Sequence, residues 1–281
     1  MKRKWIVTAW FLICVLLAGC SPQLGEGGVS SATSQIEQGA EKEMGDIAYI
    51  QKKGTLVVGI TEFAPMDYRN ENGQWVGFDA DMARRIAEAL GVSIQFVTIE
   101  WGNKLMELEN KSVDCLWNGM TITEEITQGA STTVPYAKNA QVVVLTEENA
   151  RKYSQKELAL EELAFAVEEG SAGQKALEER GLAFRTVSAQ TDALMEVAAG
   201  TSDACVVDLL MAGSAIGKGT DYTSLTEVVQ LTEEFYGVGV RKNSDLAEFI
   251  NQQFLKLYQD GTMEQLAKQY GISENLLPQQ E

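Results

Sequence analysis

The 281-residue chain contains no histidine. That removes the usual general base at neutral pH and the commonest metal ligand together. Cysteine is sparse as well: the four present, at positions 14, 20, 115 and 205, form no cluster with metal-ligand spacing, so neither a metal nor any other cofactor is called for. Basic residues are few, 23 against 40 acidic. An acidic chain with no basic stripe is a poor ligand for nucleic acid. Long hydrophobic runs are missing except at the very start, so no membrane span is expected within the folded part.

What is there begins with that run. Lys2, Arg3 and Lys4 precede an apolar stretch from Trp5 to Leu17, and Leu17-Ala18-Gly19-Cys20 places small residues before a cysteine. Residues 1–19 read as a signal peptide, too short and wrongly flanked for a stable span. The Leu-Ala-Gly-Cys ending resembles the bacterial lipobox, which implies cleavage before Cys20 and a diacylglyceryl thioether on its sulfur. The mature protein is then expected at the extracellular face of the cell membrane, or in the periplasm if the organism has an outer membrane, held by acyl chains alone. Cleavage leaves 20 basic and 40 acidic residues, a charge that serves solubility. Residues 20–50 follow as a flexible tether, rich in Gly, Ser, Gln and Glu and without periodicity. Cys115 and Cys205 lie in short apolar runs, one in each half of the chain, and read as buried free thiols.

From Thr55 the pattern becomes regular. Leu56 to Ile60 is a continuous apolar strand; Asp79 offers an N-cap to a helix with Met82, Ile86 and Leu90 on one face and Gly91 at its end. Strands are predicted over 93–99 and 113–117, with a short helix over 104–109 between them. The alternation resumes downstream: a Ser154–Glu157 capping box, a strand over 164–167, a helix opening at Gly170-Ser171, a strand over 184–187, a helix over 191–199 and a strand over 204–207. Two extended joins, 141–145 and 236–240, link the two α/β units. A chain that crosses twice makes two lobes with a cleft and a natural hinge. Lobe 1 is predicted over 51–141 and 239–281, lobe 2 with the hinge segments over 142–238.

Open α/β sheets place ligands at the carboxyl ends of their strands. Phe63 and Trp101 each follow a predicted strand there, though on spacing alone either can equally be core. The run Asn118-Gly119-Met120-Thr121-Ile122-Thr123 supplies a carbonyl, two hydroxyls and backbone N–H groups at the same edge, or is an ordinary polar loop. Gly170-Ser171-Ala172-Gly173 opens a helix whose free N–H groups suit an anion. Asp208 ends an apolar strand and lies at the cleft edge, unless it only caps a helix or faces solvent.

In order and spacing, the runs Val58-Gly59, Ala64-Pro65, Gly77 to Ala83, Met120 to Thr123, Val134-Pro135-Tyr136, Gly170-Ser171 and Ser202-Asp203-Ala204 resemble the family 3 solute-binding proteins, extracellular receptors for polar amino acids. The resemblance covers roughly residues 50–275. It implies a two-lobed periplasmic-binding-protein-like clamp, each lobe an open α/β sheet, joined by two hinge crossings. It implies that Phe63 and Trp101 are aromatic walls around the ligand. The Gly119 carbonyl, the Thr121 hydroxyl and the Asp208 carboxylate would hold an α-ammonium, and N–H groups near Thr123, Gly170 and Ser171 would face a carboxylate; Asn118 belongs to the same edge. One departure stands out. Where the family carries an arginine whose fork grips the ligand carboxylate, this chain has Ile126, and Ala172 stands where a hydroxyl residue is common. Asn118, Lys138 and Asn139 are the candidate substitutes.

The expected function is therefore non-enzymatic. The chain would be a monomeric substrate-binding lipoprotein of an ABC importer that captures a polar amino acid or related small amine between its lobes and delivers it to a permease and its ATPase. Two alternatives differ in class. One is a sensory ligand-binding lipoprotein. The other is a dehydratase-like enzyme on the same scaffold, with Glu62, Glu100 or Glu125 as its acid or base.

Overall fold

The computed structural model describes residues 45–153 and 159–280. The expected signal peptide, Cys20, the expected tether through residue 44 and the expected Ser154–Glu157 capping box lie outside the described residues.

Two five-stranded sheets form the frame. In the first, the strands run in the order Ser93–Thr98, Thr55–Ile60, Cys115–Leu116, Gly239–Arg241, Ala130–Thr132. The first three are mutually parallel and Gly239–Arg241 is antiparallel to its neighbours. In the second, the order is Phe184–Val187, Phe165–Glu168, Ala204–Asp208, Gln141–Thr146, Leu225–Gln230, again with three parallel strands followed by antiparallel ones. Each sheet therefore presents the carboxyl ends of three parallel strands on one side. Strands such as Gln141–Thr146 read as unbroken apolar runs because helices cover both faces, and five of its six residues are buried.

The crossings are a third, two-stranded element, in which Ala137–Asn139 pairs antiparallel with Glu234–Tyr236. Each crossing then donates a strand to the sheet it enters, Gln141–Thr146 to the second and Gly239–Arg241 to the first. The join expected at 141–145 is thus a strand of the second sheet, and the actual passage lies at 137–139. An apolar run that enters a sheet cannot be told from one that bridges two sheets by sequence alone.

Two further expectations are corrected. Residues 46–50 are not tether: Asp46–Lys53 is a helix closed by Gly54 at φ 78°, with Ile50 fully buried. Its start is tied by the Ile47 N–H donating to Asp245 (3.0 Å) and by Arg241 on Asp46 (2.9 Å). Asp79 is not an N-cap. The helix runs Phe78–Leu90 from Gly77, so Asp79 sits inside its first turn and is buried. Gly91 does end that helix, with φ 73°. The C-terminal helices Leu246–Gln259 and Thr262–Gln269 pack on the first sheet's side: the Phe254 ring lies 5.6 Å from that of Trp117 and 5.7 Å from that of Tyr136. Each such buried side chain adds ~1.5–3 kcal/mol over its exposed state. Cys115 and Cys205 are buried and unbridged, and burial pushes both thiols up, away from reactivity. Among the described residues no helix is long and apolar enough to cross a membrane.

Candidate functional site

The strand ends of the two sheets face one another across a cleft. All nine candidate ligand-binding residues, Phe63, Trp101, Asn118, Gly119, Thr121, Thr123, Gly170, Ser171 and Asp208, line it. The first six come from loops that follow the parallel strands of the first sheet, and the last three from the second. The lobes touch across the cleft. A Cβ on Gly170 (φ 71°) would lie 2.6 Å from the Gly102 Cα, so only glycine permits this approach. The Ser214 hydroxyl also donates to the Ala64 carbonyl at 2.8 Å.

On the first sheet's side, Phe63 is 2 % exposed and stands edge-on to Tyr236, with 6.4 Å between centroids. A Cβ on Gly119 (φ 54°) would come within 2.5 Å of the Phe63 ring. The Gly119 N–H points inward, to Asp79 at 2.6 Å. Asn118 is consumed structurally: its oxygen accepts from the Thr61 N–H (2.8 Å) and hydroxyl (2.6 Å), and its nitrogen donates to the Thr61 carbonyl (3.2 Å) and Asp67 (2.9 Å). Thr121 donates to Glu234 of the crossing at 2.9 Å, and Thr123 caps the Glu124–Gly129 helix by accepting from the Ile126 N–H.

On the second sheet's side, Asp208 ends its strand 4 % exposed. It accepts from Asn139, from Gln141 at 2.8 Å and from Gln190. Burial and the nearby Glu234 push its carboxyl up to about 7 against these donors and Tyr236. The expected anion site is occupied from within. The Gly170 N–H donates to Gln174 (2.8 Å), the Ser171 N–H to the Glu168 carbonyl (3.2 Å), and the Ser171 hydroxyl accepts from the Gln174 N–H. A Gly-Ser helix start signals free N–H groups, but here a glutamine four residues on folds back to take one of them.

The candidate substitutes for the missing arginine fare no better. Asn118 is saturated, Asn139 donates to Asp208 and Glu234, and Lys138 is exposed and does not line the cleft. Ile126 is buried in an apolar cluster with Trp101, Leu108, Val113 and Met120. The buried cation that lines the cleft was missed. Lys104 is 4 % exposed, its Nζ 2.8 Å from the Gly170 carbonyl and 5.4 Å from the Trp101 ring centre. Burial lowers its affinity for the proton, while Glu125 and Glu168 raise it. The signal was available: Lys104 lies three residues after Trp101 in a helical turn, and i, i+3 side chains share a face. Glu168 was missed too. It ends an apolar strand, 3 % exposed, and lines the cleft.

Residues 56–273 match the bacterial extracellular solute-binding proteins, family 3. The L-cystine-binding protein TcyJ of Escherichia coli (strain K12) is 25% identical over 226 residues, which cover 79% of this chain and 84% of that protein. The histidine-binding periplasmic protein of the same strain is 26% identical over 221 residues, covering 74% and 84%. The structure of holo ArgBP from T. maritima superposes with a TM-score of 0.68 at 31% identity, covering 77% of this chain and 97% of that one.

Proposed function

The chain belongs to the bacterial extracellular solute-binding proteins of family 3, and we propose that it is the substrate-binding lipoprotein of an ABC importer that captures an amino acid or related small amine between its lobes. The observation that carries this reading is the convergence, in one interlobe cleft, of two aromatic side chains and a buried carboxylate from opposite sheets. Phe63 and Trp101 would flank the aliphatic part of the ligand. Asp208, Thr121 and the Gly119 carbonyl would hold its ammonium, which needs a charged acceptor once it is desolvated. Lys104 takes the place of the missing arginine. It is a point charge rather than a planar fork, so it would hold a carboxylate with less directional selectivity. Similarity to cystine- and histidine-binding proteins supports an amino-acid ligand. The lipobox at Cys20 supports anchoring by acyl chains, with a permease and its ATPase as partners.

A thermal-shift screen of amino acids and amines tests the binding role. A ligand at 100 times its Kd adds ~2.7 kcal/mol of apparent stability. A screen in which no amino acid or amine raises the melting temperature ends this reading. A dehydratase-like activity has one observation in its favour, a carboxyl at Glu168 pushed up to about 8 in the cleft, which suits a general acid. Recovery of the bound ligand unchanged after prolonged incubation separates binding from turnover.

A further inference from the structure

Three charged side chains line the cleft while nearly removed from water: Lys104, Glu168 and Asp208, each under 5 % exposed. Two are acids and one is a base, so the buried lining carries one negative charge more than positive when all three are ionised. Glu125 and Lys175, the other charged lining residues, are partly or fully exposed, opposite in sign and screened by water. The excess is not neutralised from within the protein. Asp208 is surrounded by amide donors, but Glu168 Oε1 is buried with no hydrogen-bond partner; Asp67 Oδ1 and Asp79 Oδ1 share that state, and of the three acids Glu168 is the one that lines the cleft. Native proteins rarely leave such an atom unmatched unless something else completes it.

We infer, building on the binding reading above, that Glu168 is a specificity-determining residue that selects ligands of net charge +1, that is, amino acids with a basic side chain. The strand register explains the position. Phe165–Glu168 and Ala204–Asp208 are adjacent and parallel, with Val206 opposite Val167, so both strands end at the same sheet edge, Asp208 one residue further along than Glu168, and both acids line the cleft. Gln190 donates to Asp208 and also eases the ionisation of Glu168. A basic amino acid would put its carboxylate toward Lys104 and its two cationic groups toward the two acids. The three buried lining charges would then be balanced, with the half-buried Glu234 near Asp208 outside that count. A zwitterion leaves Glu168 to keep a proton in place of a ligand cation, and an acidic amino acid adds a negative charge that nothing in the lining compensates.

The empty cleft meets the same requirement with a proton. Burial and Asp208 push the Glu168 carboxyl up to about 8, Lys104 and Gln190 oppose this, and Asp192 adds to it. At pH 7 the acid is therefore largely protonated. A ligand cation that takes its place leaves the carboxylate ionised and sends one proton to the buffer.

Calorimetric titration with free L-lysine and with L-norleucine, its side-chain analogue without the terminal amine, tests this at pH 7. The wild-type protein should bind lysine at least 100-fold more tightly than norleucine. Titration in two buffers of different ionisation enthalpy should show net proton release with lysine and markedly less with norleucine. Glu168→Gln should cut lysine affinity at least 30-fold and leave norleucine equal or better, since it makes the lining neutral. Norleucine binding as tightly as lysine to the wild-type protein, or an unchanged preference in Glu168→Gln, overturns the inference while leaving the receptor reading intact. Failure of any amino acid of any charge to bind overturns both. The proton count on the wild-type protein decides the matter even if Glu168→Gln does not fold.

Discussion

Besides the ion-paired Asp114, two pairs of acids are buried among the described residues, and their surroundings differ. Asp67 and Asp79 lie within the first lobe, both fully buried. Glu168 and Asp208 lie at the sheet end of the second lobe and line the cleft. In both pairs burial and a neighbouring acid raise at least one carboxyl: Asp67 well above its ordinary value beside Asp79, and Asp79 to about 7 by burial, opposed by the Gly119 N–H and the Tyr136 hydroxyl. The difference lies in what can reach them. The first pair faces Asn118, Gly119 and Tyr136 of its own lobe, and its nearby cation is the half-buried Arg84. The second faces a cavity and a buried lysine. A raised carboxyl alone is thus no mark of a binding site; access to a partner from outside is what distinguishes the two.

The sharpest way to break this comparison is to neutralise one acid of each pair. Asp208→Asn should weaken binding of a basic amino acid by ~10²–10³-fold or more, because removing one partner of a buried ion pair costs ~3–5 kcal/mol. Calorimetry reads it, and a loss under tenfold would remove Asp208 from the ammonium site. Lys104→Gln should come next. It should weaken L-lysine ~10–100-fold, the scale of a hydrogen bond to a charged group, while leaving the decarboxylated diamine cadaverine bound equally or more tightly, since two acids and a dication balance without Lys104. Equal losses for both ligands would show that Lys104 shapes the cleft rather than meeting a carboxylate.

The pH dependence of stability sharpens the contrast further. Asp79, Glu168 and Asp208 all have folded values above their ordinary ones. The folded state then binds more protons than the unfolded state between pH ~4 and ~8, so stability is greatest below ~4 and falls as pH rises through that window. Thermal melting of the ligand-free protein should show this fall, and saturating basic ligand should flatten the part due to the cleft pair. A ligand-free protein that gains stability from pH 5 to 8 would contradict the raised values. The smallest effect is expected for the enclosed pair. Asp67→Asn keeps an oxygen to accept from Asn118 and should change ligand affinity less than about threefold, under ~1 kcal/mol. A tenfold change would tie the first lobe's acids to the cleft.

Much of the frame was legible in the chain because alternation and capping are local. The strand at Thr55–Ile60, the helix at Lys104–Glu109 and the Gly91 helix end follow from the apolar period and from glycine's access to positive φ. The positions of Phe63, Trp101 and Asp208 in one cleft were legible because strand ends gather at one side of a sheet. Occupancy was not. Whether the Gly170 N–H faces a ligand or Gln174, and whether Asn118 faces the cleft or Asp67, depends on neighbours chosen by the fold. Asp79 shows the same limit: at a helix start an aspartate reads as a cap, and only the packing of Tyr136 and Gly119 against it turns it into a buried acid.

The sequence by itself determined that this is an α/β protein with two lobes, lacking histidine, with Ile126 where the family resemblance implies an arginine. Those are matters of residue identity and short-range period. Only the tertiary structure decided which cation is buried in the cleft and which acids line the cleft with it. Lys104 reaches the Gly170 carbonyl 66 residues away in the chain, and Glu168 and Asp208 reach the same sheet edge only because their strands pair in parallel. Charge balance in a closed cleft is a sum over side chains from both sheets, and no local pattern in the chain encodes that sum.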